Sequence, residues 1–212
     1  MGGRIFISYR REDSATSARR LYDHLSCHFD SNQIFIDVDN LALGIDLIKA
    51  IEENVGTCDV LIAVIGGRWL ISSDQAGQRR IDNPEDFVRI EIATALKRDI
   101  RVIPVLVDGA SMPRDRDLPD DLKALVRRNA LQLSHERFRT DSERLASAVE
   151  QALENTRAER RELEEKERMD TERRETEKKE RLVDECPSAG ELAEQLAAAR
   201  SDHWRSTLGQ FL

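Results

Sequence analysis

The chain has few aromatic residues, three cysteines without a recurring spacing, and no surplus of positive charge. Aromatics make up 5% of its 212 residues and charged residues 35%. That composition is poor for a core spread evenly along the chain, so the charge is expected to be concentrated in one part. The net charge of -8 argues against a general nucleic-acid binder, whose surface must be positive to take phosphates, and leaves room only for a local anion pocket. No apolar run reaches the length of a membrane span. The apolar stretch after Arg4 is also too short for a signal peptide. Cys27, Cys58 and Cys186 have neither metal-site nor disulfide spacing, and a cytoplasmic protein is expected. His24, Cys27 and His28 fall within one helical turn and can be drawn as metal ligands. A helix surface near its C-terminal end, where histidine is favourable, accounts for them more simply, and no metal is expected. No Gly-rich phosphate fingerprint follows the first apolar run, so a Rossmann-type cofactor site is not expected. No G-x-S-x-G elbow is present for a Ser-His-Asp hydrolase.

What is there, over residues 4–135, is an alternation of strand and helix signals. "RIFISY", "QIFIDV", "DVLIAVIGG", "RVIPVLVDG" and "NALQLS" read as five short strands, the third apolar almost throughout, as when both sheet faces are covered. Between them, Ala15, Ala18, Leu21, Tyr22, Leu25 and Phe29 recur at three and four spacing, which predicts a helix over 14–29. Residues 46–55 and 85–98 predict two more, "LPDDLKALVRR" a short one, and Arg137 opens a last one. Pro104 inside the fourth strand suggests an edge or a bulge. The pattern implies an α/β fold, a flavodoxin-like five-stranded parallel sheet with helices on both faces. In such sheets ligands bind beyond the carboxyl ends of the strands, where the strand order reverses.

From about residue 150 nearly every position is charged. Glu162 and Lys166, Glu164 and Arg168, Asp170 and Arg174, Glu175 and Lys179, and Glu177 and Arg181 stand as acid-to-base i,i+4 pairs, each worth a few tenths of a kcal/mol. Without a heptad, the segment reads as a long charged helix, a solvated spacer on the order of 70 Å if helical over 140–184. Pro187 ends it. Ser188 and Glu191 have capping-box spacing, and Leu192, Leu196, Ala199, Trp204, Leu208 and Phe211 form an apolar stripe. The expected organisation is a domain over 1–150, a helical spacer over 151–186 and an amphipathic helix over 187–212. That last helix needs a surface: a second copy, another protein, a further domain, or its own domain.

One carboxylate is out of place. On a helical wheel at about 100° per residue, Phe87, Val88, Ile92, Ala95 and Leu96 define the apolar arc of the 85–98 helix, and Glu91 falls inside it. An inward carboxylate needs a buried partner or a function. Arg10 and Arg11 are candidate partners for it.

"FISYRREDS", "IFIDVDNLALGIDLIKAIEENVGTCDVLIAVIGGRWL" and "NPEDFVRIEIATALKRDIRVIPVLVDGA", in that order, resemble a bacterial TIR (Toll/interleukin-1 receptor) domain over residues 3–150. The resemblance implies one of two kinds of work. Some members are adaptors that assemble with other TIR domains. Others cleave the nicotinamide–ribose bond of NAD, as NAD glycohydrolases or ADP-ribosyl cyclases, through a glutamate four residues after an aromatic. That pattern falls on Phe87 and Glu91, with Phe where many members carry Trp. The implied reading is an NAD-cleaving enzyme in bacterial defence or stress signalling, activated by assembly, with NAD as substrate and no cofactor; a non-catalytic scaffold is the alternative. Glu91 would stabilise the developing charge on the ribose, and Phe87 or Trp69 would stack on a ring. Trp69 also reads as simple packing at the sheet end. Arg10 or Arg11 would fork a pyrophosphate, unless both pair with Glu12 and Asp13; Asp13 or Ser14 would cap the helix that follows. Leu41, Ala42, Leu43 and Gly44 match the family's BB loop, which often contacts a neighbouring subunit, so self-association is expected.

Overall fold

The computed structural model describes residues 3–36 and 47–184, with Gly190 and Ala197 beyond them. The chain divides into two compact units, Met1–Ala158 and Glu159–Leu212.

In the first unit, β1 (Ile5–Ser8), β2 (Ile34–Ile36), β3 (Val60–Ile65), β4 (Arg101–Val107) and β5 (Leu131–Leu133) form one parallel sheet in the order β2-β1-β3-β4-β5. Among the described residues of the chain the α-helices are α1 (Arg11–Leu25), α2 (Leu47–Gly56), α3 (Phe87–Lys97) and α4 (Phe138–Asp184), the last beginning in this unit. The flavodoxin-like order expected from the alternation is the order found.

Side chains alternate across each strand, so the sheet has two apolar faces. Ile5, Ile7, Ile62, Val64 and Val105 pack with Ala18, Leu21 and Leu25 of α1 and Leu145, Val149 and Leu153 of α4. Phe6, Leu61, Ala63 and Ile65 pack on the other side with Ile51 and Val55 of α2 and Val88, Ile92 and Ala95 of α3. Ser8 has the parity of Phe6 and therefore closes β1 on the α3 side. The chain leaves β1 toward β2 on one side and crosses to β3 on the other. The sheet's switch point thus lies between β1 and β3, where Ser8 pairs with Ala63.

Several local expectations change. "LPDDLKALVRR" folds as a 3-10 helix over Asp120–Arg127. Its buried Leu122 and Leu125 are three apart, the spacing that eclipses in a 3-10 helix. Pro104 sits in β4, an interior strand, paired with Ala63. β5 pairs only with Val105–Val107, so β4 is locally an edge where the proline stands. α1 starts at Arg11, with Arg10 as N-cap and no side-chain cap bond, and kinks at Ser14 (φ -135°, ψ 19°). The expected capping by Asp13 or Ser14 is not made. The Asp13 carboxylate instead accepts from the backbone N–H of Gly66 (2.9 Å) and of Arg68 (2.7 Å), tying α1 to the chain leaving β3. A Cβ on Gly66 would lie 2.4 Å from that carboxylate, so only glycine allows the approach.

Residues 159–179 of the second unit are exposed, Leu163 and Met169 included. Two ion pairs there run base to acid, Arg168 with Glu172 at 3.8 Å and Arg173 with Glu177 at 2.9 Å. The amphipathic stripe over 187–212 lies outside the described residues, apart from Gly190 and Ala197. Among the described residues no helix is long and apolar enough to cross a membrane.

Candidate active site

β1 ends at the switch point on Ser8, and α3 crosses that end with the face that the wheel marks as apolar. Val88, Ile92 and Ala95 are buried there, and so is Glu91, 4% exposed. The Ser8 hydroxyl donates to Glu91 Oε2 at 2.6 Å. The inward carboxylate is thus held at the carboxyl end of the innermost strands. Phe87, one turn earlier on the same side of the helix, is 37% exposed and leaves ring area for a ligand. Ser8 was not among the residues that the sequence pattern marks as functional. Its signal is a polar residue closing an apolar strand on the parity of Phe6.

The charge crowded after β1 resolves differently from expectation. Arg10 is 1% exposed, and its guanidinium grips Asp86 in two parallel bonds, Nη1–Oδ2 at 2.9 Å and Nη2–Oδ1 at 3.0 Å. Arg80 Nε adds a third contact to Asp86 Oδ2 at 3.2 Å and pairs through Nη1 with Glu12. Asp86 is also the N-cap of α3, accepting from the Arg89 backbone N–H at 3.1 Å. Two cations and two anions therefore alternate along a chain that anchors the first turn of α3. Burial pushes the Glu12 carboxyl up, but a backbone hydrogen bond and Arg80 outweigh it and hold the group below its ordinary value. Arg10 is consequently corrected from a pyrophosphate ligand to a buried partner of Asp86, because its fork is occupied and closed to solvent. Its partner is neither Glu91 nor the neighbouring Glu12 and Asp13.

Trp69 is corrected in the same way. It is 1% exposed, packed among the α2–α3 core, and its Nε1 has no hydrogen-bond partner, so it closes the sheet end and offers no face for stacking. Arg11 is exposed at the start of α1. Leu41, Ala42, Leu43 and Gly44 lie outside the described residues. A cavity of about 550 Å³ lies where α3 faces the 3-10 helix, bounded by Ile90, Ala93, Lys97 and Asp121. No buried carboxylate is among the described residues that line it, so the chemistry is assigned to the Glu91 side.

A 4%-exposed carboxylate held by a hydroxyl, beside a half-exposed ring, can stabilise a cationic transition state or order the hydroxyls of a sugar.

Comparison with known proteins shows the family. The family model for the TIR domain matches residues 5–149. The chain is 32% identical over 137 residues to NAD(+) hydrolase SARM1 of Danio rerio, covering 64% of this chain and 18% of that protein. It is 26% identical over 134 residues to NAD(+) hydrolase sarm1 of Drosophila melanogaster, covering 62% of this chain and 9% of that protein. The chain therefore spans less than a fifth of the length of these relatives. Among solved structures, the TIR domains of the activated Roq1 resistosome, which directly recognizes the pathogen effector XopQ, match with a TM-score of 0.50 at 13% identity. That match covers 70% of this chain and 98% of theirs.

Proposed function

Because the chain belongs to the TIR domain family, we propose that it cleaves NAD at the nicotinamide–ribose bond, with Glu91 as the catalytic carboxylate. The observation that carries this reading is Glu91 itself, buried at the carboxyl end of β1 and hydrogen-bonded to Ser8. The similarity to proteins named NAD(+) hydrolases supports the substrate.

In the proposed reaction the C1′–N bond breaks and its electron pair leaves with neutral nicotinamide. The ribose carries oxocarbenium character, which the Glu91 carboxylate stabilises through space while ordering the ribose hydroxyls. Water then bonds to C1′ and loses a proton, giving ADP-ribose; a nucleophile within the ADP-ribose itself gives a cyclised product. Ser8 fixes the carboxylate before substrate arrives, and the solvent-facing part of Phe87 stacks on a ring. Arg11, the exposed member of the arginine pair, takes the pyrophosphate. Asp86, Arg10 and Arg80 are positioning residues that hold the first turn of α3. We further propose that assembly of TIR domains raises the activity and that the protein serves bacterial defence or stress signalling in the cytoplasm. The residues after 187 would recruit a partner.

The test is nicotinamide release from NAD by the purified chain over a wide concentration range, beside Glu91→Ala. Release that vanishes with Glu91→Ala supports the enzyme, and the product peak separates hydrolysis from cyclisation. Ordered oligomers without release at any concentration, in both proteins alike, would favour a scaffold and overturn the catalytic reading.

A further inference from the structure

On the sheet face opposite Glu91, α1 ends beside the beginning of α4. His24 Nε2 lies 3.8 Å from Glu143 Oε1, and His28 Nε2 lies 3.4 Å from Glu143 Oε2. The three ligand atoms are all within 4.8 Å of one another. His24 Nε2 is buried and has no hydrogen-bond partner. We propose that His24, His28 and Glu143 form a binding site for a borderline divalent cation, Zn²⁺ foremost.

The donor set and its spacing both point this way. Two imidazoles and one carboxylate suit zinc rather than magnesium or calcium, which prefer all-oxygen shells. His24 stands in the last turn of α1 and His28 in the turn that follows, and both ring nitrogens face the same carboxylate. Bonds of 2.0–2.1 Å in a tetrahedron put ligand atoms about 3.3 Å apart, and one ligand atom from each residue already lies within 4.8 Å of the others, so side-chain rotations suffice to close the set. Glu143 is half exposed and free to adjust, and the open side leaves the fourth position to water. Cys27 is not a ligand in this arrangement, since its thiol donates to the Asp23 carbonyl oxygen at 3.5 Å. The third ligand comes from α4, 115 residues after His28, which is why the sequence pointed to no metal.

Such an ion would pin the end of α1 to α4 across the face away from α3, so it would stabilise the domain without touching the substrate. The experiment uses the full chain without an affinity tag. Zn²⁺ is titrated in competition with a chromophoric chelator, with Co²⁺ absorption as a second readout and thermal unfolding as a third. One equivalent should bind, the melting temperature should rise with Zn²⁺, and His28→Ala and Glu143→Gln should each weaken binding by about tenfold or more. Both positions are partly exposed, so the variants should fold. Cys27→Ser and His135→Ala should bind as the parent does. Absence of binding at micromolar Zn²⁺ would overturn the proposal, as would a stoichiometry and affinity that both ligand variants retain. Either result leaves the Glu91 reading untouched, because the two sites share no residue.

Discussion

Asp86 is the residue on which the geometry of α3 depends, and its replacement gives a quantitative test. Its carboxylate is 2% exposed and takes both terminal nitrogens of a 1%-exposed Arg10. Removing one partner of a buried ion pair costs about 3–5 kcal/mol, because the other charge is left desolvated. Losing an N-cap costs about 1 kcal/mol more. The two losses share one side chain and will not simply add, so Asp86→Ala is expected to destabilise by about 4 kcal/mol, a large fraction of the roughly 5–15 kcal/mol typical of a domain. Asp86→Asn keeps an oxygen for the Arg89 amide and isolates the charge, at about 3 kcal/mol. Arg10→Met should cost less than Asp86→Ala, since Asp86 retains Arg80 and the α3 amide. Glu12→Gln is the control. It removes a half-exposed partner of Arg80, worth about 0–1 kcal/mol. Equilibrium unfolding in urea, followed by the fluorescence of tryptophan, reads these differences as midpoint shifts at constant slope. If Asp86→Asn unfolds within about 1 kcal/mol of the parent, the buried pair is not what anchors α3 and the reasoning fails.

Glu91→Gln keeps the shape and an acceptor for the Ser8 hydroxyl, so the fold should hold while nicotinamide release falls by about a hundredfold or more; release within tenfold of the parent would remove Glu91 from the reaction. Phe87→Ala should lower kcat/KM about threefold to tenfold, with Phe87→Trp retaining activity, if the ring stacks on substrate. Trp69→Phe removes a buried donor that has no partner, so stability should change by less than about 1.5 kcal/mol and nicotinamide release should persist; a collapse of release in a stably folded variant would return Trp69 to the substrate site. Burial, and secondarily Asp59, push the Cys58 thiol from 9.0 up to about 12. Above pH 9 the unfolded chain's thiol ionises while the folded one stays protonated, so this group's contribution to stability should fall as pH rises from 9 to 12. Alkylation mapped by mass spectrometry near pH 8 should label exposed Cys27 and spare Cys58 until the protein unfolds.

Local pattern carries much of the architecture. Alternating apolar runs mark the five strands and their parallel connection, and helical periodicity puts Glu91 on an inward face, where it is found. These readings depend only on period and propensity, which neighbours in sequence express. The 3-10 helix over Asp120–Arg127 and the pairing of Pro104 escape such a reading because both depend on what packs alongside.

By itself, the sequence determined the order of elements, the concentration of charge after residue 150 and the carboxylate on the inward face of α3. The tertiary structure decided who meets whom. Ser8 reaches Glu91 across 83 residues, Arg10 reaches Asp86 across 76, and His28, in the turn after α1, reaches Glu143 of α4. Arg10 and Arg11 are adjacent and chemically alike, yet one is sealed around Asp86 and the other faces solvent. No local rule separates them. A guanidinium's role depends on which carboxylate lies within about 3 Å and how much water remains, and both are set only when the strands and helices close around it.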